Sequence, residues 1–172
     1  MSKLLALDLG LSFTGWSLFH DDNLVNCGCI YNLEQTNVKN KHLALFYKSQ
    51  YLYIKLSDLV TTTQSKNIIC EMPTGGSKSA IALASMSMSN AVLASLVMQY
   101  QLTLYKVTPR NIKTITCKNS KATKDDMMKQ IKYLYPSLPK IPKKYFEHIA
   151  DSIGAFLTYK SNCFTEVSNV FA

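Results

Sequence analysis

KLLALDLGLSFTGWSLFHDDNLVNCGCIY, residues 3–31, decides the fold. Residues 3–9 form an apolar run with a single acid, Asp8, and read as a buried strand closing on a carboxylate. Residues 13–20 and 24–31 are two further strand-like runs, separated by the turn signal Asp21-Asp22-Asn23. Three strands in immediate succession predict an antiparallel start. Working outward, residues 38–60 place Leu45, Leu52, Leu56 and Leu59 at helical spacing, with Lys39, Lys41, Lys48 and Lys55 among the polar positions. NIICE (67–71) is a short apolar strand ending on Glu71, broken by Pro73-Thr74-Gly75-Gly76. A small-residue helix follows over about 79–99, and LTLYKV (102–107) is a fifth strand. Pro109 opens a short helix, and 117–123 is a polar, lysine-bearing loop. Thr123 is a good N-cap for a helix running to about Tyr135, with Asp125 and Asp126 in its first turn where the helix dipole favours acids. Three prolines assign 136–144 to a loop, a last helix covers about 145–159, and the tail beyond Lys160 reads as weakly ordered. The expected fold is α/β: a mixed five-stranded sheet, its first three strands antiparallel and its fourth and fifth parallel, with helices on both faces. One domain over 1–160 and a tail at 161–172 are expected.

The chain has 172 residues, 47% of them apolar, enough to bury a core without disulfide or metal staples. It is too short for the two-lobed kinases and actin-like ATPases whose first strand looks similar. The net charge is +8, yet residues 106–144 alone carry +9 and the remainder −1. Such a strip calls for a polyanionic partner, either nucleic acid or an acidic membrane surface. Five cysteines in no CxxC pair, with no signal peptide at the N-terminus, point to reduced thiols and a cytoplasmic location. Cys27 and Cys29 read as alternating strand residues before they read as metal ligands. Residues 80–105 carry no charge, but Ser85, Ser87, Ser89, Asn90, Ser95, Gln99 and Gln101 interrupt them. A buried helix followed by a strand explains this better than a membrane span.

Three acids stand apart. Asp8 and Glu71 each end an apolar strand, and Asp151 lies in the last helix. A carboxylate beside a core is costly without a partner. One such acid alone reads as a solvated strand end or an ion pair; three that converge read as a cage for a hard cation, Mg²⁺ or Mn²⁺. His148 and Asp151 are spaced i, i+3, and Glu147 and Asp151 i, i+4, so both pairs suit one helical face. Gly75-Gly76-Ser77-Lys78-Ser79 invites comparison with a P-loop and fails it, because Ser77 and Met72 occupy the required glycine positions. No nucleotide cofactor is expected; Lys78 near Glu71 still suits contact with a phosphodiester.

ALDLGLSFTGWSLF, IICEMPTGG, PRNIKTITCKNSKATKDDMMKQI and EHIADSIGAFLTY together resemble the RuvC-type Holliday junction resolvases, in particular the divergent versions carried by bacteriophages. The resemblance runs from about Lys3 to Tyr159. It implies an RNase H-like fold, a homodimer, and Mg²⁺-dependent nicking of four-way DNA junctions, with Mn²⁺ as a substitute and two ions per site. By position, Asp8, Glu71 and Asp151 match the family's metal ligands, and His148 falls where members have an acid or a histidine. Lys113 and Lys124 match two basic positions near the scissile DNA, and Lys118 and Lys121 extend that track. One departure is Thr74, where well-known members carry an aromatic residue that wedges into the junction. That keeps open a nuclease for other branched DNA, such as flaps or forks. A non-catalytic branched-DNA-binding protein of the same fold is the other alternative.

Overall fold

The computed structural model describes residues 3–32, 40–72 and 79–167. The first strand, β1 (Lys3–Asp8), is apolar on both sides: Leu5 and Leu7 enter one core, Leu4 and Ala6 the other. A strand of that kind must be covered above and below, and β1 is accordingly interior, in a sheet of order β3-β2-β1-β4-β5-β6. Strands β2 (Phe13–His20) and β3 (Asn23–Tyr31) complete the antiparallel meander. Asp21 and Asp22 join them with φ of 48° and 68°, the left-handed pair that a two-residue type I′ hairpin turn requires. Strand β4 (Asn67–Glu71) runs parallel to β1, and β5 (Thr103–Val107) parallel to β4.

Helices α1 (Lys41–Thr63) and α2 (Ala80–Tyr100) cover one face, setting Leu52, Leu56, Leu93 and Leu96 against Leu5, Leu7, Ile68 and Leu104. Helices α3 (Pro109–Cys117), α4 (Lys124–Leu134) and α5 (Lys143–Lys160) cover the other, where Ile112, Met127, Ile131, Ile149 and Ile153 meet Ala6, Phe19, Ile69 and Val107. Side-chain caps start four of the five helices: Asn40, Ser79, Thr108, and the reciprocal Thr123–Asp126 capping box. Each such cap is worth about 1 kcal/mol. The α/β class, the meander, the parallel pair and the two-sided helical cover all match the sequence expectation.

Three expectations change. The sheet has six strands, not five: β6 (Thr165–Val167) pairs antiparallel with β5, inside the expected weakly ordered tail. Tyr105, Tyr159 and Phe164 pack ring against ring there, with centroids 4.8–5.2 Å apart, and draw that segment back onto the sheet edge. Helix α5 begins at Lys143, within the stretch assigned to a loop, because Pro142 sits just outside the first turn, where its φ of −52° and missing N–H cost nothing. Helix α2 is not a fully buried helix. Only the stripe Ser89, Val92, Leu93 and Leu96 is buried, while Ile81, Leu83 and Met98 are exposed. By length and composition α2 would suffice to cross a bilayer, and in this fold it lies on the sheet through that stripe.

Candidate active site

Period-two alternation carries the α5-facing side of β1 from Leu4 and Ala6 to Asp8, and that of β4 from Ile69 to Glu71. Asp8 and Glu71 are register partners on adjacent parallel strands, so the two strand-end acids stand side by side beneath α5. What lets α5 come down onto them is Gly15. It pairs with Asp8 across β1 and β2, and a Cβ at position 15 would collide with the carbonyl of His148. One turn further on, Ser152 Oγ and Ser17 Oγ share a hydrogen bond at 3.1 Å, a second buried tie between α5 and β2.

With the helix so placed, His148 Nδ1 lies 2.7 Å from Asp8 Oδ2. An ionised carboxylate only accepts, so the imidazole N–H donates. The Phe13 ring stacks on the imidazole, with centroids 5.3 Å apart and planes within 7°. The contact with Asp8 holds His148 above its ordinary pKa, against the opposing effect of burial. Burial, then the charges of Asp8 and Asp151, push Glu71 up to about 8, with Lys113 and Lys124 pulling the other way. Burial and Asp8 likewise push Asp151 up to about 7, opposed by Lys124 and His148. Asp8, Glu71, His148 and Asp151 therefore share one electrostatic neighbourhood.

The lysines divide. Lys113 on α3 and Lys124 at the start of α4 both act on Glu71, so the fold brings them to the carboxylates. The Lys124 ammonium also forms a 2.6 Å ion pair with Glu147. Lys118 ends α3 in the left-handed conformation, φ 54°, and Lys121 follows on the same loop, both exposed. Lys78 and Thr74 lie outside the described residues, as does the glycine-rich loop around them. Cys27 and Cys29 alternate on β3 against the α5-side core, and burial raises both thiols, Cys29 to about 11. Protonated thiols on a strand are poor metal ligands.

Among the described residues, no three His, Cys, Asp or Glu side chains yet form a cage around an ion. The donor chemistry nonetheless fits a hard divalent cation. Two carboxyls whose pKa values are raised by burial and by the charge of Asp8 are groups that a cation would ionise, and they offer oxygen ligands. The Asp8–His148 contact engages Nδ1 and Oδ2, which leaves His148 Nε2 and Asp8 Oδ1 as the atoms that could ligate.

Comparison with solved structures closes the question of fold. Thermus thermophilus RuvC, in a complex with its Holliday junction substrate, superposes with a TM-score of 0.76 at 11% identity, over 97% of this chain and 100% of that one. The fold is that of RuvC. A second T. thermophilus RuvC structure gives a TM-score of 0.72 at 10% identity, over 96% of this chain and 99% of the other. The yeast mitochondrial Holliday junction resolvase Ydc2 gives 0.59 at 14% identity, over 94% of this chain and 80% of its own. No protein-family model and no curated protein matches the sequence. The RuvC fold is thus kept here at an identity too low to carry residue roles with it.

Two residues of this site escaped the sequence reading. Gly15 sits 133 positions from His148, whose carbonyl a Cβ there would meet, and Phe13 lies 135 positions from the ring it stacks on. Glu147 stood out by its spacing to Asp151, but its partner is Lys124. Its sequence signal was an acid on a helix next to a basic strip.

Proposed function

We propose that the protein is a metal-dependent nuclease that nicks four-way DNA junctions, working as a homodimer with Mg²⁺ or Mn²⁺. The observation that carries this reading is the in-register pair Asp8–Glu71 beneath His148 and Asp151 of α5, on a RuvC fold. The solved relatives supply the substrate class: one was captured with a Holliday junction and another is a Holliday junction resolvase.

Asp8, Glu71, Asp151 and His148 would hold two ions. The chemistry supplied there would be a lowered pKa for a bound water and stabilisation of the departing 3′-oxygen, which would leave 5′-phosphate and 3′-hydroxyl ends. The chain's own residues do the rest. Burial of Glu71 and Asp151 keeps bulk water from screening the charge that develops at the phosphate. Phe13 and Asp8 fix the imidazole plane of His148, leaving Nε2 as the nitrogen to accept a proton or a cation. Lys113 and Lys124 grip the backbone beside the cut, and Lys118 and Lys121 extend that grip along the strip at 106–144, which makes binding steeply salt-dependent. Lys124 would exchange its Glu147 partner for a phosphate oxygen.

Two opposed strands need two active sites, which a two-fold dimer supplies. The surface best suited to pairing lies between α1 and α2. There a groove of about 530 Å³ is lined by Tyr53, Ile54, Met88 and Val92, with Phe46 and Leu83 exposed on the same helices.

The decisive experiment incubates wild type and Glu71→Gln with labelled four-way junctions, flaps, forks and plain duplex, with and without Mg²⁺ or Mn²⁺, and maps the cuts. Paired, metal-dependent nicks in the four-way junction that vanish in Glu71→Gln are expected. Cutting of flaps or forks alone would assign a different branched substrate. Gel shifts without cuts in any metal would leave only a DNA-binding protein.

A further inference from the structure

Beside the carboxylates lies a feature that the cutting chemistry does not use. Phe13 and Tyr31 face each other across β2 and β3 at the end of the meander. Tyr145, one turn before His148 on α5, packs against both, with ring centroids 5.0 Å from Tyr31 and 6.2 Å from Phe13. A continuous aromatic row therefore runs Tyr31–Tyr145–Phe13–His148 and ends on Asp8. Its outer member is open: Tyr31 is 45% exposed, on the edge strand of the sheet. Lys144 places its ammonium 4.6 Å from the centre of the Tyr145 ring.

Water-exposed aromatic surface at a sheet edge is a cost that packing alone does not explain, and the ammonium beside it supplies the complement of a phosphate. Flat rings with a lysine alongside are what single-stranded nucleic acid binds, bases stacking on the rings and phosphates meeting the cation. The register sets the reach. Tyr31 lies two strands and two residues from Asp8, roughly 12 Å at a spacing of about 4.8 Å between strands and about 3.4 Å per residue. That spans one or two nucleotides of an extended strand.

We infer that Tyr31, backed by Tyr145 and flanked by Lys144, is a stacking site for an unpaired DNA base next to the cut phosphate. The position at the cut rests on the nuclease reading; the capture of an unpaired base does not. In a four-way junction the base would come from the crossover, and in other substrates from a single-stranded gap or flap.

The test uses 2-aminopurine, whose fluorescence reports stacking, placed in a single-stranded oligonucleotide and near the crossover of a four-way junction, with EDTA present so that nothing is cut. Wild type should change the fluorescence of both probes. Tyr31→Ala should bind the single strand roughly tenfold more weakly, the size expected for one stacked base, and lose the signal. Tyr31→Phe should keep both properties, and Tyr31→Leu, with similar apolar bulk and no ring face, should lose the signal. Affinity for plain duplex should stay within about twofold, with melting temperatures recorded for every variant. Unchanged single-strand affinity and fluorescence in a folded Tyr31→Ala would overturn the site, as would an equal loss on duplex. Parallel cleavage in Mg²⁺ separates the two readings. Cutting without the stacking signal removes the stacking site and keeps the nuclease. The signal without cutting removes the nuclease and keeps the base-binding site.

Discussion

The two faces of the sheet are built from the same strands to opposite ends. On the α1–α2 face, β1 contributes Leu5 and Leu7 and the covering helix α2 carries no charge. On the α5 face the same strand contributes Leu4, Ala6 and then Asp8, and the covering helices carry Lys113, Lys124, His148 and Asp151. One register step therefore separates a packing surface from a chemical one. The first face exposes Ile54, Leu83 and Met98 beside the charges of α1, the second the lysines of α4.

The comparison breaks most sharply at the carboxylates. Asp8→Asn or Glu71→Gln should lower single-turnover cleavage about 10³-fold, the several kcal/mol that bound metal contributes to a phosphoryl transition state. For Glu71→Gln, melting temperature at pH 8 without metal should hold or rise, since the change removes a carboxylate that burial makes costly to ionise. Normal cleavage in either variant would move the chemistry elsewhere. Next in size is Gly15→Ala. Its methyl group would push α5 off β2, with about a 10²-fold loss of rate from misplacement and about 1–3 kcal/mol of stability from overpacking. An unaltered rate would mean that α5 yields at this contact.

A smaller effect belongs to pH. Glu71 and Asp151 have raised pKa values in the folded state, about 8 and about 7, so between about pH 4 and 8 the folded chain binds protons that the unfolded chain has released. Metal-free stability should therefore fall as pH rises through that window, while cleavage in Mg²⁺ rises from pH 6 to 8. His148 works in the same direction: its contribution is full below about pH 6.5 and is lost as pH rises through its elevated folded value. Melting curves with EDTA and with Mg²⁺ across pH 5–9 read this directly, and Mg²⁺ should restore stability most at the alkaline end. A flat metal-free profile would mean that the acids are solvated. The smallest change concerns the other face. Ile54→Glu should leave melting within about 0.5 kcal/mol, the range for an exposed position, and shift light scattering from dimer to monomer. A monomeric wild type, with and without DNA, would instead leave that face without a partner copy.

The chemical face was largely legible in the sequence, because an acid closing an apolar strand is a local signal and two of them stood out. The same was true of the cap at Thr123, which lies within three residues of what it binds. What the sequence hid was set by contacts between distant residues. Thr165–Val167 has no strand pattern of its own and is held by rings at 105, 159 and 164. Among the described residues α2 has α1 alone as a helical neighbour on its face, and its exposure follows from that, which its uncharged composition does not report. Lys124 reads as a DNA contact by position, and only the fold shows that Glu147 already occupies it.

Position 15 has one more consequence. Where α5 crosses β2 the gap is too narrow for even a methyl group, so the sheet acts as a mechanical stop for the helix. His148 and Asp151 ride on that helix together. Any displacement at the stop would disengage both from Asp8 and Glu71 in a single movement, so the alignment of half the site is governed by a residue with no side chain and no part in the chemistry.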